Sequence, residues 1–95
     1  MSVYAMAVCS DRHYIPDAVD GAVFPKNVEN IHDYHTLFNI ADKNIPQSCH
    51  LLKLYITGLT PCTLAIVSVC QAREIPMICY HYDKVTGRYF GQVMQ

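Results

Sequence analysis

The run Leu51 to Ile56, broken at Thr57-Gly58-Leu59 and restarted by Thr60-Pro61, constrains this chain more than any other stretch. Leu51, Leu52, Leu54, Tyr55 and Ile56 predict a short strand buried on both faces, with Lys53 its only charge. Thr60 reads as a helix N-cap and Pro61 as the first helical residue, where a missing N–H costs nothing. A strand that turns through glycine into a helix start leaves backbone N–H groups and the positive end of the helix dipole above Thr57 and Gly58. Phosphate is a common occupant of such a place, and a plain corner holding water is the other reading of the same residues.

Ninety-five residues make a single domain, residues 1–95, that buries only about two-thirds of its unfolded surface. Hydrophobic residues make up 52% of the chain and charged ones 16%, against a usual charged share of about 25%. So little charge on a small surface points to a homo-oligomer with an apolar interface. A net charge of −1 and a pI near 6.5 supply no basic field for duplex nucleic acid. The longest candidate membrane stretch, Leu64 to Cys70, falls far short of the roughly 20 residues a span needs. Cys9, Cys49, Cys62, Cys70 and Cys79 form no CxxC pair and follow no signal peptide, so reduced thiols and a cytoplasmic location are expected.

Along the chain, Val3–Cys9 predicts a first strand that stops at Ser10-Asp11-Arg12-His13. Tyr14 to Asn30 is punctuated by Pro16, Gly21 and Pro25, with Ala22-Val23-Phe24 long enough for a short strand; the stretch also reads as a lid. Ile31, Tyr34, Leu37, Phe38 and Ala41 recur at helical spacing, so a helix over Ile31–Lys43 capped by Asn30 is expected. The helix after Thr60 is apolar nearly all round, which predicts cover on more than one side and again an oligomer. Met77–Tyr82 predicts a third strand, Asp83–Gly87 a turn, and Arg88–Met94 the returning strand of a hairpin. Alternating elements of this kind specify a minimal Rossmann-like α/β domain, mostly parallel, with a C-terminal antiparallel hairpin.

Ligands of open α/β sheets bind beyond the carboxyl ends of the parallel strands. That rule gathers Ser10, Arg12 and His13 with Thr57, Gly58 and Thr60, and with His81 and Tyr82, into one candidate ligand site. Arg12 and the helix start offer positive charge, the hydroxyls suit ribose or phosphate, and Tyr82 or Tyr14 can stack on a base. Each has a structural reading too. Asp11 and Arg12 can pair on the surface, His81 can be satisfied within the sheet, and Tyr80, Tyr82 and Tyr89 can pair across the hairpin. His32 and His35 stand three apart without a third ligand at a recognisable distance, so no metal is expected. Ser10 lacks a nucleophile elbow and Cys62, near a helix start, lacks a placed base. With neither a Gly-rich dinucleotide fingerprint nor a P-loop lysine, no classical cofactor is expected and the catalytic residues are unassigned.

From Leu54 to Met94 the order of strand, Thr57-Gly58-Leu59-Thr60, apolar helix, strand and terminal hairpin resembles the small CRISPR-associated Rossmann-fold proteins. These include single-domain ring nucleases that bind cyclic oligoadenylates across a two-fold dimer. The resemblance covers under half the chain. It implies that the turn at Thr57–Thr60 and the loop at Ser10–His13 face the ligand, and that metal-independent cleavage could proceed by in-line attack of a ribose 2′-hydroxyl. By functional analogy the chain also looks like the phage anti-defence sponges that sequester nucleotide messengers intact. The expectation is a homo-oligomeric binder of a cyclic or adenine-containing signalling nucleotide, with a ring nuclease and a structural interaction subunit as the alternatives.

Overall fold

A computed structural model describes residues 2–10, 19–25 and 28–94. Its elements are β1 (Ser2–Cys9), β2 (Gly21–Phe24), α1 (Tyr34–Asn44), β3 (Cys49–Tyr55), α2 (Thr60–Ala72), β4 (Met77–Asp83) and β5 (Arg88–Met94). They build one five-stranded sheet in the order β2-β1-β3-β4-β5. The pairs of β1 with β2, β1 with β3, and β3 with β4 are parallel, and β4 with β5 is antiparallel. The expected small α/β, Rossmann-like architecture with its C-terminal hairpin is therefore the one observed.

Both crossover helices lie on the same face of the sheet, packed against each other. Alternation along each strand decides what they cover. Met6 and Val8 of β1, Leu52 and Leu54 of β3, and Met77 and Cys79 of β4 join one buried cluster with Leu37 and Ala41 of α1 and Ile66 and Val69 of α2. Of the intervening residues Tyr55 is buried, whereas Leu51 and Lys53 are only half-buried, so β3 is enclosed on its second face only toward its carboxyl end. The apolar circumference of α2 has a similar explanation. One flank meets the sheet and another meets α1, which accounts within a single chain for much of what reads as an oligomer signal, although Leu64 stays 55% exposed.

Both helix starts differ from the sequence reading. Asn30 adopts a left-handed φ of 54°, and its carbonyl accepts the Asp33 N–H at 3.0 Å, closing a turn ahead of the helix. Asp33 is the cap: its carboxylate accepts the Thr36 N–H at 3.2 Å and the Thr36 hydroxyl at 2.8 Å. His32 thus sits in the turn rather than on the helix, and the spacing to His35 places no pair on one helical face. Among the described residues no group of three or more His, Cys, Asp or Glu is arranged to hold a metal. At α2 the cap position falls on Leu59, whose backbone is extended; Thr60 is already helical, so its hydroxyl makes no cap bond. The Leu59 carbonyl instead takes both the Cys62 and Thr63 N–H groups, at 3.1 and 3.2 Å.

The far ends of the helices are locked by Arg73. Its guanidinium donates to the Asp42 carboxylate at 2.7 and 3.0 Å, to the Asp42 carbonyl, to the Ile45 carbonyl at 3.0 Å and to the Pro46 carbonyl at 3.3 Å. Asp42 is half exposed, so the ion pair itself contributes little; the carbonyls at the end of α1 lose their donor if Arg73 goes. Arg73→Met should cost about 2–3 kcal/mol and lower the melting temperature by roughly 10 °C, with Arg73→Lys recovering only part because it lacks the planar fork. Calorimetry of the three proteins checks this. Asp33 gives a pH signature. Its Thr36 bonds hold the carboxyl below the ordinary carboxylate range, so its contribution is present above about pH 4 and lost as pH falls through the lowered value. Urea melts at pH 7 and pH 3 should show the wild type losing more stability on acidification than Asp33→Asn.

Candidate functional site

The connection leaving β1 leads to β2 on one side, whereas that leaving β3 leads to β4 on the other. The chain therefore diverges between the carboxyl ends of β1 and β3, which is where open α/β sheets open a ligand crevice. Thr57 sits at this divergence. It is fully buried, its hydroxyl donating to the Cys9 carbonyl at 3.2 Å and accepting the Cys9 N–H at 3.3 Å. Both strands end here, and the sheet ladder can no longer satisfy these backbone groups, so a buried hydroxyl does. With donor and acceptor used by the backbone, Thr57 shapes the crevice rather than reaching into it.

The next residue makes the turn. Gly58 has a φ of 136°, a conformation that a side chain rarely tolerates, and it is exposed. It brings the chain round to Leu59 and the start of α2, whose Pro61 carries no N–H and whose first turn has no side-chain cap. Thr60 is exposed beside it, and Ser10 is half-buried at the end of β1, its N–H donating to the Phe24 carbonyl at 3.0 Å. Arg12 and His13, like Asp11 and Tyr14, lie outside the described residues.

The contribution of β4 divides between two faces. His81 lies on the helix-side face of the sheet, with Nε2 3.1 Å from Gln92 Oε1 and its ring 5.3 Å from that of Phe90. Tyr82 points to the opposite face, 53% exposed, and packs edge-on against Tyr89 at 5.4 Å. It belongs to a cluster of four tyrosines. Tyr55 and Tyr80 stack with centroids 4.8 Å apart and planes 12° apart, and Tyr89 meets Tyr55 edge-on at 5.3 Å. Burial, then the neighbouring Tyr82, push the Tyr89 hydroxyl above the usual phenol value. The register explains the arrangement: Tyr55 lies beside Tyr80, Tyr80 opposite Gly91, and Tyr82 opposite Tyr89. The sheet thus places Ser10, Thr57, Gly58 and Thr60 at the divergence between β1 and β3, Tyr82 on a neighbouring aromatic surface, and His81 on the other face.

An open cleft of about 570 Å³ adjoins the hairpin, lined by Asp83, Thr86, Arg88, Tyr89 and Phe90. Asp83 is occupied by its own turn, accepting the Val85 N–H at 2.9 Å and the Thr86 hydroxyl at 3.0 Å. Arg88 is the cation of the cleft. The sequence pointed to it weakly, through a hairpin turn that returns Arg88 opposite Asp83 at the carboxyl edge. The five cysteines are all buried and none forms a disulfide; burial pushes the Cys70 thiol up to about 12 and raises Cys49 and Cys79. They behave as small hydrophobes.

Two substitutions test Thr57 and Gly58 in turn. Thr57→Val should cost about 1–3 kcal/mol, because it leaves the buried Cys9 groups unpaired, and should loosen the crevice with the fold. Gly58→Ala should cost a similar ~1–3 kcal/mol through backbone strain, because a φ of 136° lies outside the left-handed well that other residues can use. Denaturant unfolding that found either substitution neutral would remove the corresponding assignment. Neither protein-family models, nor curated proteins, nor solved structures give a match to this chain.

Proposed function

We propose that this chain is a homo-oligomeric binder that sequesters a cyclic or adenine-containing signalling nucleotide at the crevice between β1 and β3, in the setting of anti-phage defence or counter-defence. The observation that carries the proposal is the turn at Gly58, which presents an α2 start without a side-chain cap at the point where the strand connections diverge. Backbone N–H groups and a helix dipole suit a phosphate there. Ser10 and Thr60 supply hydroxyls for ribose or phosphate oxygens. Arg12 and His13, which follow β1 in sequence, complete the charge. A base leaving the crevice on the tyrosine side would meet Tyr82, whose exposed ring can take a further stacking partner.

Binding without turnover is the simpler reading of these residues. Thr57 is committed to the backbone of Cys9 and Cys62 is fully buried in the core. Cleavage by the ligand's own 2′-hydroxyl would require only positioning, so the ring-nuclease alternative is decided by the product. The purified protein should be incubated with cyclic di-, tri- and oligonucleotides and ADP-ribose derivatives, filtered, and then heat-denatured. The expected result is one compound that leaves the filtrate and returns intact on denaturation, with retention cut at least tenfold by Gly58→Ala in a still-folded protein. Return as a linear product would make the chain a ring nuclease. A full panel left unbound and unchanged would overturn the nucleotide reading in favour of an assembly role.

A further inference from the structure

The outer strand of the hairpin carries an inference that is independent of the crevice and of any nucleotide. Among the described residues β5 is an edge strand of the sheet, seven residues long, with Tyr89 its only residue that is not exposed. Natural edge strands are usually blunted by proline, by inward-pointing charge, by shortness or by a covering element. β5 holds no proline and a single charge, Arg88, at its first position. Its apolar side chains stand on both faces: Phe90 is 54% and Val93 64% exposed, and Met94 is also exposed. Such a strand is an open template for pairing.

We infer that β5 pairs antiparallel with β5 of a second copy about a two-fold axis through Gly91, joining two five-stranded sheets into one of ten strands. The sequence of β5 is self-complementary in that register. Each Tyr89 falls opposite the partner's Val93, an aromatic and β-branched pair of the kind that stabilises neighbouring strands. Each Phe90 falls opposite the partner's Gln92. The two Arg88 residues lie at opposite ends, about 20 Å apart, beyond the screening length at physiological salt. Gly91 on the axis also has a role within the protomer. A Cβ there would come within 3.1 Å of Tyr80 Cε1 and 3.3 Å of Ile78 Cγ2, so the Tyr80 ring already covers the glycine. In the paired sheet the two Tyr80 rings flank the axis.

The area is that of a small, weak-to-moderate dimer contact. Phe90, Val93 and Met94 leave roughly 300 Å² of apolar side chain exposed on β5 itself, and the strand backbone with Gln92 adds to the surface on offer. A closed two-fold contact of this kind uses up the edge on both copies, so growth stops at the dimer.

Sedimentation velocity of the full chain from 1 to 100 µM tests the inference, comparing wild type with Phe90→Lys, Val93→Lys and Leu64→Lys. The wild type should sediment as a dimer. Each β5 substitution enters the interface twice and should weaken dimerisation at least tenfold, while Leu64→Lys, on exposed α2 surface, should leave it unchanged. Far-UV circular dichroism confirms that the variants are folded, and having two β5 variants guards against one that is not. A monomeric wild type, a dimer indifferent to both β5 changes, or a dimer broken by Leu64→Lys alone would each overturn it.

Discussion

Every parallel strand pair needs a crossover, and this chain supplies two helices to cover a five-stranded sheet. Both lie on one side, where they meet each other and bury the alternate residues of β1, β3 and β4. On the opposite side, Tyr55, Tyr80, Tyr82 and Tyr89 pack on one another across β3, β4 and β5, so that among the described residues rings shield rings there. A phenol suits that position because its ring is apolar and its hydroxyl tolerates water.

Much of this was legible in the sequence. The boundaries of β5, Arg88–Met94, follow from the Asp83–Gly87 turn and the alternation after it, and Thr60-Pro61 marks the start of α2 to within one residue, the cap falling on Leu59. The start of α1 was misread because Asn30 and Asp33 are both good cap residues. Only Asp33 has Thr36 at the right distance, and a left-handed Asn30 forms the turn before it. The apolar run also overstated the burial of Leu51 and Lys53 on β3, since such a run does not say on how many sides helices will land.

The crevice was legible as a location and less so as chemistry. Thr57-Gly58 marks the strand-to-helix turn, but the partner of the Thr57 hydroxyl lies 48 residues away on β1, and only the parallel register brings it there. The same holds for Arg73, whose partner Asp42 is 31 residues distant, and for Tyr55, which reaches Tyr80 through the pairing of β3 with β4. Local signals name the elements, whereas the side chains that fasten elements together are set by register. The division of His81 and Tyr82 between two faces follows from strand alternation alone and was available from the start.

The position of β1 has a consequence for the order in which the domain can be assembled. It is the first strand in sequence yet an interior strand of the sheet, held on one side by β2 and on the other by β3. Its longer partnership, six registered positions with β3 from Ser2 to Ala7, is closed only once residues near 55 are in place. The hairpin of β4 and β5, by contrast, closes across four turn residues. Loop-closure entropy therefore favours a C-terminal half that organises early and an N-terminal strand that inserts late. Until it does, β3 presents a vacant ladder and the Thr57 hydroxyl has no Cys9 to hold, so the divergence between β1 and β3 is the last part of the sheet to be built.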